Sequence, residues 1–294
     1  MKLLMLTNPM AGRRQGRTVA EKSLALFEHS GLSVHNLYSE YPGHLMELAK
    51  REVNKEWDGI IALGGDGTLF EVINGMMQGN PKLPLPLGVL PAGTGNSFSR
   101  DLAIKTHADA VEKIVQARTR PVDLGHCVCG DRSFVFINIL GFGFVADVAK
   151  KAYSYRRWGA LNYVIGVFLI TRRLQSYALD FEIDGIAYQR NNIFVEICNS
   201  RKTGGDMLMA PEAKIDDGLL DVVILNQVSR RRLLSALPKI FTGSHLRMAE
   251  VEHFLASKAT FRPATAKALT PDGEIIGATP ITVSVLPGSL QVFG

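Results

Sequence analysis

Cysteine is scarce in this chain. There are three in 294 residues, Cys127, Cys129 and Cys198, and none forms a Cys-x-x-Cys pair. That excludes a disulfide-stapled scaffold and fits a reducing compartment. His126 adjoins Cys127, but no further ligand has metal-site spacing, so these residues read as small apolar thiols in a strand. No apolar run reaches the roughly 18 residues that a membrane-spanning helix needs. The first residues read as a strand entering a motif, so no cleavable signal peptide is expected. The Gly-x-x-x-x-Gly-Lys-Ser/Thr phosphate loop is absent, as are internal repeats and low-complexity segments. Strong charge bias is also missing: the net charge is +5. Arginines come in small clusters (Arg13-Arg14 with Arg17, Arg156-Arg157, Arg172-Arg173, Arg230-Arg231-Arg232) without interleaved aromatics. That pattern suits an anionic nucleotide or an anionic membrane surface and argues against nucleic acid as a partner.

What is present is ample apolar content, 46%, enough for a large core and two domains. The most informative stretch runs from Ile60 to Glu71. Ile60-Ile61-Ala62-Leu63 reads as a buried strand and breaks into Gly64-Gly65-Asp66-Gly67-Thr68. Thr68, with Glu71 three residues on, is placed to cap the next helix. Strand, glycine turn and helix start together aim backbone N–H groups at an anion, most often phosphate. Asp66 would repel phosphate unless a cation lay between them, so it suggests Mg²⁺ or a hydroxyl to be activated. A second glycine turn, Pro91-Ala92-Gly93-Thr94-Gly95-Asn96-Ser97, follows the strand Leu87–Leu90. A third, Thr7-Asn8-Pro9-Met10-Ala11-Gly12-Arg13, follows the strand Lys2–Leu6. Adjacent strand ends carrying such turns line one crevice in an open α/β sheet.

Up to about residue 122 strands (2–7, 33–38, 58–63, 86–90) alternate with helices (17–29, 43–54, 69–78, 107–117), the order of a parallel sheet. Short strand-like runs follow, at 122–125, 133–140, 177–183, 192–199, 219–225, 251–257, 267–269 and 281–286. Helical insertions fall at 145–174 and 229–241. The expectation is an α/β protein of two domains: a doubly wound parallel-sheet nucleotide-binding domain over 1–123 and a β-sandwich-like domain over 124–294. Gly141-Phe142-Gly143-Phe144-Val145-Ala146 imitates a dinucleotide-binding turn, but no acidic residue follows about 20 positions on and the βαβ order is missing.

Asn8-Pro9 with Gly12, Gly64-Gly65-Asp66-Gly67-Thr68 with Glu71, Asn74 and Gly75, and Pro91-Ala92-Gly93-Thr94-Gly95-Asn96 resemble the diacylglycerol kinase catalytic domain. That family also contains sphingosine and ceramide kinases and small bacterial lipid kinases, and the likeness runs nearly end to end. It implies transfer of the γ-phosphate of ATP, with Mg²⁺, to a lipid hydroxyl, diacylglycerol first and a sphingoid base next. Asn8, Pro9, Gly12, Arg13, Gly64, Gly65, Asp66, Gly67, Thr68, Glu71, Gly93, Thr94, Gly95 and Asn96 would hold the nucleotide. Thr270-Pro271-Asp272-Gly273-Glu274 matches the family's second acidic motif. Asp272 is therefore the leading general base, with Glu274 in support and Asp66 as the other catalytic carboxylate.

Asp123 would join Asp66 in the Mg²⁺ network. Lys214, Asp217 and Leu219 match a second, structural Mg²⁺ loop of the bacterial members, and Asp147 matches the residue that meets the substrate head group, a lipid amino-alcohol, in the sphingosine and ceramide kinases. Ser97 stands where many small bacterial members carry Asp, which removes one acidic contributor. The resemblance further implies a cytoplasmic protein in reversible contact with a membrane surface, and a homodimer. The apolar stretch 160–170, ending at Arg172-Arg173, reads as a lipid-tail wall, a segment dipping into the membrane interface, or a buried helix. Alternatives are an NAD kinase-like enzyme, which shares Gly-Gly-Asp-Gly-Thr, and a lipid-binding regulatory protein without turnover.

Overall fold

The computed structural model describes residues 1–83, 85–153, 170–172 and 174–294. The chain divides into two compact units, Met1–Leu124 with Pro287–Gly294, and Gly125–Leu286. In the first, the leucine- and isoleucine-rich runs form β1 (Lys2–Thr7), β2 (Ser33–Tyr38), β3 (Gly59–Gly64) and β4 (Leu87–Pro91). They pair in parallel in the order β4-β3-β1-β2. β3 is buried along its whole length, whereas β2, at the edge, is largely half-exposed.

A short turn α1 (Ala11–Arg14) and five helices complete this unit: α2 (Gly16–His29), α3 (His44–Glu52), α4 (Asp66–Gly79), α5 (Ser97–Asp101) and α6 (His107–Val115). α2 packs with α6 and α3 with α4. Cβ atoms at Gly75 and Gly79 would lie 2.2 and 2.4 Å from the Met46 and Lys50 carbonyl oxygens, so glycine lets α4 cross close over α3. α6 starts on a capping box between Thr106 and Asp109. The chain moves outward from β1 to β2 and then returns past β1 to β3 and β4. The order therefore reverses between β1 and β3, the point at whose carboxyl-end loops open α/β sheets bind ligands.

The second unit is rich in antiparallel strands. β5 (Thr119–Cys129) leads into it, followed by β6 (Arg132–Phe136), β7 (Ile139–Gly143), α7 (Phe144–Tyr153), β8 (Tyr177–Ile183) and β9 (Ile186–Cys198). β10 (Lys202–Thr203), β11 (Met207–Leu208), β12 (Leu220–Asn226), α8 (Arg230–Ile240), β13 (Val251–Ala256), β14 (Lys258–Pro263), β15 (Leu269–Pro271) and β16 (Ile281–Phe293) complete the chain. β9 is long because it serves two partners. Its half-exposed first part pairs with β8, and its buried second part lies between β7 and β12. The end of β16 belongs to the first unit, where Val292 pairs in parallel with Leu87 of β4.

Several expectations need correction. α4 starts at Asp66, with extended Gly65 as its N-cap, and no side chain caps it. Thr68 is therefore inside the first turn, where its N–H donates to the Gly65 carbonyl. The run 133–140 is two strands, because the N–H groups of Ile137, Asn138 and Ile139 turn to the Asp272 carboxylate. β14 is an additional strand, with Ala259 and Phe261 buried and Lys258 and Arg262 exposed; only two apolar side chains mark its inner face. Gly141 to Ala146 is indeed strand-to-helix, β7 into α7, but β7 pairs antiparallel with β9 and β15, so no βαβ unit exists there. The three cysteines are free and buried. Most of the 160–170 stretch lies outside the described residues.

Candidate active site

In the first unit the three glycine turns meet at the carboxyl ends of β1, β3 and β4. Ala92 and Gly93 donate their N–H groups to the Gly64 carbonyl (2.8 and 3.2 Å), and Asn8 donates its own to the Leu63 carbonyl (3.0 Å). The Asn8 side chain accepts from the Met10 N–H at 3.0 Å and donates to the Thr68 hydroxyl at 3.2 Å. The Asn96 amide spans its own turn, bonded to both the N–H and the carbonyl of Gly93 at 2.9 Å. Side chains are kept out by the packing. A Cβ on Gly93 would lie 2.4 Å from the Gly65 Cα, and one on Gly12 would lie 2.2 Å from the Ala92 carbonyl oxygen. Gly12, Arg13 and Arg14 are all left-handed (φ 56, 60 and 71°). Such strain in two arginines is sustained only where the surrounding structure holds it.

Asp66 sits in the first turn of α4, half-buried. Its Oδ1 accepts the Ser97 N–H at 2.8 Å, and its Oδ2 accepts the Ser97 hydroxyl at 3.2 Å. Burial raises its pKa above the usual carboxylate range, and the hydrogen bonds from Ser97 oppose that rise. Ser97 brings no acid to the site, as the sequence implies. In the structure it is the residue that aims Asp66, a role with no sequence signal because the pair is 31 positions apart. Ser97→Ala keeps the N–H bond and loses the hydroxyl. We expect about a tenfold fall in kcat with little change in KM for nucleotide, on the scale of one charge-assisted hydrogen bond, read in steady-state kinetics. Arg13 and Thr94 are exposed, as is Arg17, whose guanidinium lies 4.7 Å over the Tyr38 ring. Glu71 accepts the Gly43 N–H at 3.1 Å, and Asp123 is buried and accepts the Gly288 N–H at 2.6 Å.

In the second unit, Pro271-Asp272-Gly273-Glu274 is a tight turn closed by the Glu274 N–H on the Pro271 carbonyl at 2.8 Å. Both central residues have positive φ (47 and 88°), the type I′ pattern. Asp272 is buried, and its carboxylate accepts three main-chain N–H bonds at 2.9–3.1 Å. Glu274 is exposed. Asp147 is exposed in the first turn of α7, where the helix dipole favours an acid. In the loop before β12, the Asp217 carboxylate accepts the Leu219 N–H at 3.1 Å, an Asx turn, with Lys214 exposed. Among the described residues no three His, Cys, Asp or Glu side chains gather as a metal cage. An apolar cavity in this unit, unread in the sequence, is lined by Val145, Phe194, Met209, Leu225, Leu233 and Ile240, among others.

A parallel sheet with packed glycine turns at its strand ends, and a β-rich second unit with an apolar cavity, define a two-domain kinase-like protein. Comparison with known proteins gives its family. A family model described as the diacylglycerol kinase catalytic domain matches residues 2–127, and one described as the YegS C-terminal NAD kinase beta sandwich-like domain matches residues 138–294. The chain belongs to this diacylglycerol kinase family. It is 29% identical to a diacylglycerol kinase of Mycobacterium tuberculosis (strain H37Rv), over 99% of this chain and 94% of that protein. It is 26% identical to sphingosine kinase 1 of Arabidopsis thaliana, over 93% of this chain and 66% of that protein. A crystal structure described as a candidate diacylglycerol kinase from Bacillus anthracis superposes with a TM-score of 0.80 at 25% identity, covering 99% of this chain and 96% of that one.

Proposed function

We propose that this chain is a lipid kinase that transfers the γ-phosphate of ATP to a lipid hydroxyl, with diacylglycerol as the first acceptor and a sphingoid base as the next. The observation that carries the reading is the triple packing of glycine turns around Asp66, a backbone-lined cradle for phosphates. Asn8, Pro9, Gly12, Arg13, Gly64, Gly65, Gly67, Thr68, Glu71, Gly93, Thr94, Gly95 and Asn96 are the proposed nucleotide-binding set. Supported by β-sheet backbone rather than long side chains, the cradle positions the phosphates without itself reacting.

Asp66 fits Mg²⁺, because a partly buried carboxylate with a raised pKa gains from an adjacent cation. Mg²⁺ needs only one or two protein carboxylates when phosphates and water supply the rest. When bound, the ion would neutralise charge on the transferring phosphoryl group; Asp66 and Asp123 are the proposed residues for it. Lys214, Asp217 and Leu219 remain the proposed structural Mg²⁺ loop. Asp272 is the proposed base and Glu274 its support. The acceptor hydroxyl oxygen bonds to the γ-phosphorus, the bond to the β-phosphate oxygen breaks, the hydroxyl proton passes to the carboxylate, and ADP leaves. Asp147 is proposed to meet the lipid head group. No described helix is long and apolar enough to cross a membrane. Reversible contact with a membrane surface is the proposed route to a lipid acceptor.

The test is labelled phosphate transfer from ATP into a panel of diacylglycerol, sphingosine, ceramide and NAD, with and without Mg²⁺. Label in diacylglycerol that depends on Mg²⁺ is the expected result. Label in the NAD product, or in no acceptor with folded protein that binds ATP, overturns the reading.

A further inference from the structure

The positive charge of this chain is concentrated in one stretch. Between Gln227 and Ala249 stand Arg230, Arg231, Arg232, Lys239 and Arg247, with no Asp or Glu. Those five basic residues equal the net charge of the whole chain, +5, so the rest of the chain is balanced. The stretch consists of α8 and the 3₁₀ turn Ser244–Arg247 that packs against it.

Three arginines fill the first turn of α8, behind the Ser229 cap, whose hydroxyl accepts the Arg232 N–H at 3.2 Å. The helix dipole favours acids in that turn and works against cations. Arg232 is compensated by Glu250, which takes two bonds from its guanidinium at 2.9 and 3.1 Å, and Lys239 acts on the same carboxyl. Arg230, Arg231 and Arg247 are exposed and make no ion pair among the described residues. Arg230 and Arg231 therefore stand at the unfavourable end of a helix with no local partner to hold them there.

The same helix carries an apolar stripe on its outer side. Arg230, Leu234, Leu237 and Phe241 are spaced i, i+4, i+7 and i+11, so they follow one another along one face. Leu234 and Leu237 are half-buried, and Phe241 is 54% exposed. The inner side, with Leu233, Ala236 and Ile240, closes an apolar cavity of about 40 Å³. That is far below the roughly 300 Å³ at which ligand pockets begin, so the outer stripe is the part of α8 free to meet lipid.

We propose that the outer surface of α8 and the turn after it form a membrane-docking face. Arg230, Arg231 and Arg247 meet the phosphates of an anionic bilayer, and Phe241 enters the interface beside them. Basic residues flanking exposed leucine and phenylalanine are the composition of a helix that lies in a membrane interface. A bilayer uses both the charge and the stripe, whereas a polynucleotide would use the charge and a single aromatic ring. The purpose of the face rests on the lipid-kinase reading, since such an enzyme must reach an acceptor held in a bilayer, but its binding is measurable with no acceptor present. One acid borders it. A Cβ on Gly243 would lie 2.3 Å from the Pro211 Cγ, which places the adjoining exposed Glu212 at the Phe241 end.

The test is sedimentation with vesicles of phosphatidylcholine containing about 30 mol% phosphatidylglycerol, and with vesicles of phosphatidylcholine alone, from about 0.05 to 0.5 M salt. Wild type is expected to bind the anionic vesicles and to lose most of that affinity at high salt. Arg230→Gln/Arg231→Gln lowers the affinity about 30-fold, and Glu212→Gln raises it about fivefold. Phe241→Ser lowers it about tenfold and leaves the salt dependence unchanged. Lys22→Gln/Arg118→Gln, which removes the same charge from exposed positions of the first unit, stays within about twofold of wild type. All four are surface changes, so Tm stays within about two degrees of wild type. In kinetics the α8 arginine pair raises KM for diacylglycerol in vesicles and leaves kcat on water-soluble dihexanoylglycerol unchanged. An equal loss of affinity in the two charge pairs overturns the inference, because the attraction then belongs to net charge. Vesicle affinity that neither the α8 arginine pair nor Phe241→Ser alters overturns it too, and leaves the kinase reading to its own assay. Tighter binding of single-stranded polynucleotide through the same two arginines also overturns it. If no acceptor is phosphorylated but the vesicle series behaves as expected, the docking face stands and the kinase reading falls.

Discussion

Asp66→Asn is expected to lower kcat/KM for lipid phosphorylation by about 10³-fold or more, the scale on which single charged groups act in phosphoryl transfer. The substitution is a narrow one. Asparagine keeps an oxygen to accept the Ser97 N–H, now 2.8 Å from Asp66, and can present its amide to the Ser97 hydroxyl. The glycine turns then keep their packing, and ATP should still bind in the absence of Mg²⁺. What is lost is the negative charge. Burial holds the Asp66 pKa above its ordinary value, so ionised Asp66 works against the fold. With the folded pKa above the unfolded one, wild-type stability falls as pH rises from the unfolded carboxylate range through the folded pKa. Asp66→Asn removes that decline, so at pH 8 its Tm should equal or exceed the wild-type value. Activity assays at several Mg²⁺ concentrations, beside thermal melts, check both halves. A mutant that keeps a tenth of the activity would move the essential charge to another residue. A mutant that melts well below wild type would show that Asp66 is structural.

The parts of this site that were legible in the sequence are those whose chemistry is local. Gly64-Gly65-Asp66-Gly67-Thr68 announces a close backbone turn because glycine spacing and the preceding apolar strand are adjacent in the chain. The strands Lys2–Thr7 and Ser33–Tyr38 were read to the residue because alternation or continuous apolar character fixes a short strand. What stayed hidden depends on distant partners. The start of α4 at Asp66 and not Thr68 is set by how Gly65 packs on Gly93, 28 positions away. The break at Ile137 is set by a carboxylate 135 positions downstream, and the run reads as one strand until that acceptor is known. Glu196 gave no signal because a lone acid in an apolar run reads as an exposed strand face. Only the register that sets β9 between β7 and β12 shows it buried.

The turn after β1 allows a sharper test of whether backbone contact between the glycine turns is what binds nucleotide. Gly12→Ala combines two penalties. Its φ of 56° is left-handed, costing an L-residue roughly 1–2 kcal/mol, and its new Cβ would lie 2.2 Å from the Ala92 carbonyl oxygen, a backbone atom that cannot swing aside. Gly31→Ala carries only the first. Its φ is 73° and nothing lies within 4 Å of the added methyl. Both alanines should therefore lower Tm, Gly31→Ala by only a few degrees, as roughly 1 kcal/mol does in a chain of this size. The excess in Gly12→Ala measures the clash. Relief of that clash must part the turn after β1 from the turn after β4, so ATP affinity should fall about 100-fold or more in Gly12→Ala and not at all in Gly31→Ala, measured by calorimetry on the folded proteins. Equal Tm losses with unchanged ATP affinity in both would mean that the turns do not need to touch, and that the nucleotide is held by side chains alone. A large loss of affinity confined to Gly12→Ala would assign the binding to the packed main chain, where every donor is an N–H fixed by the sheet.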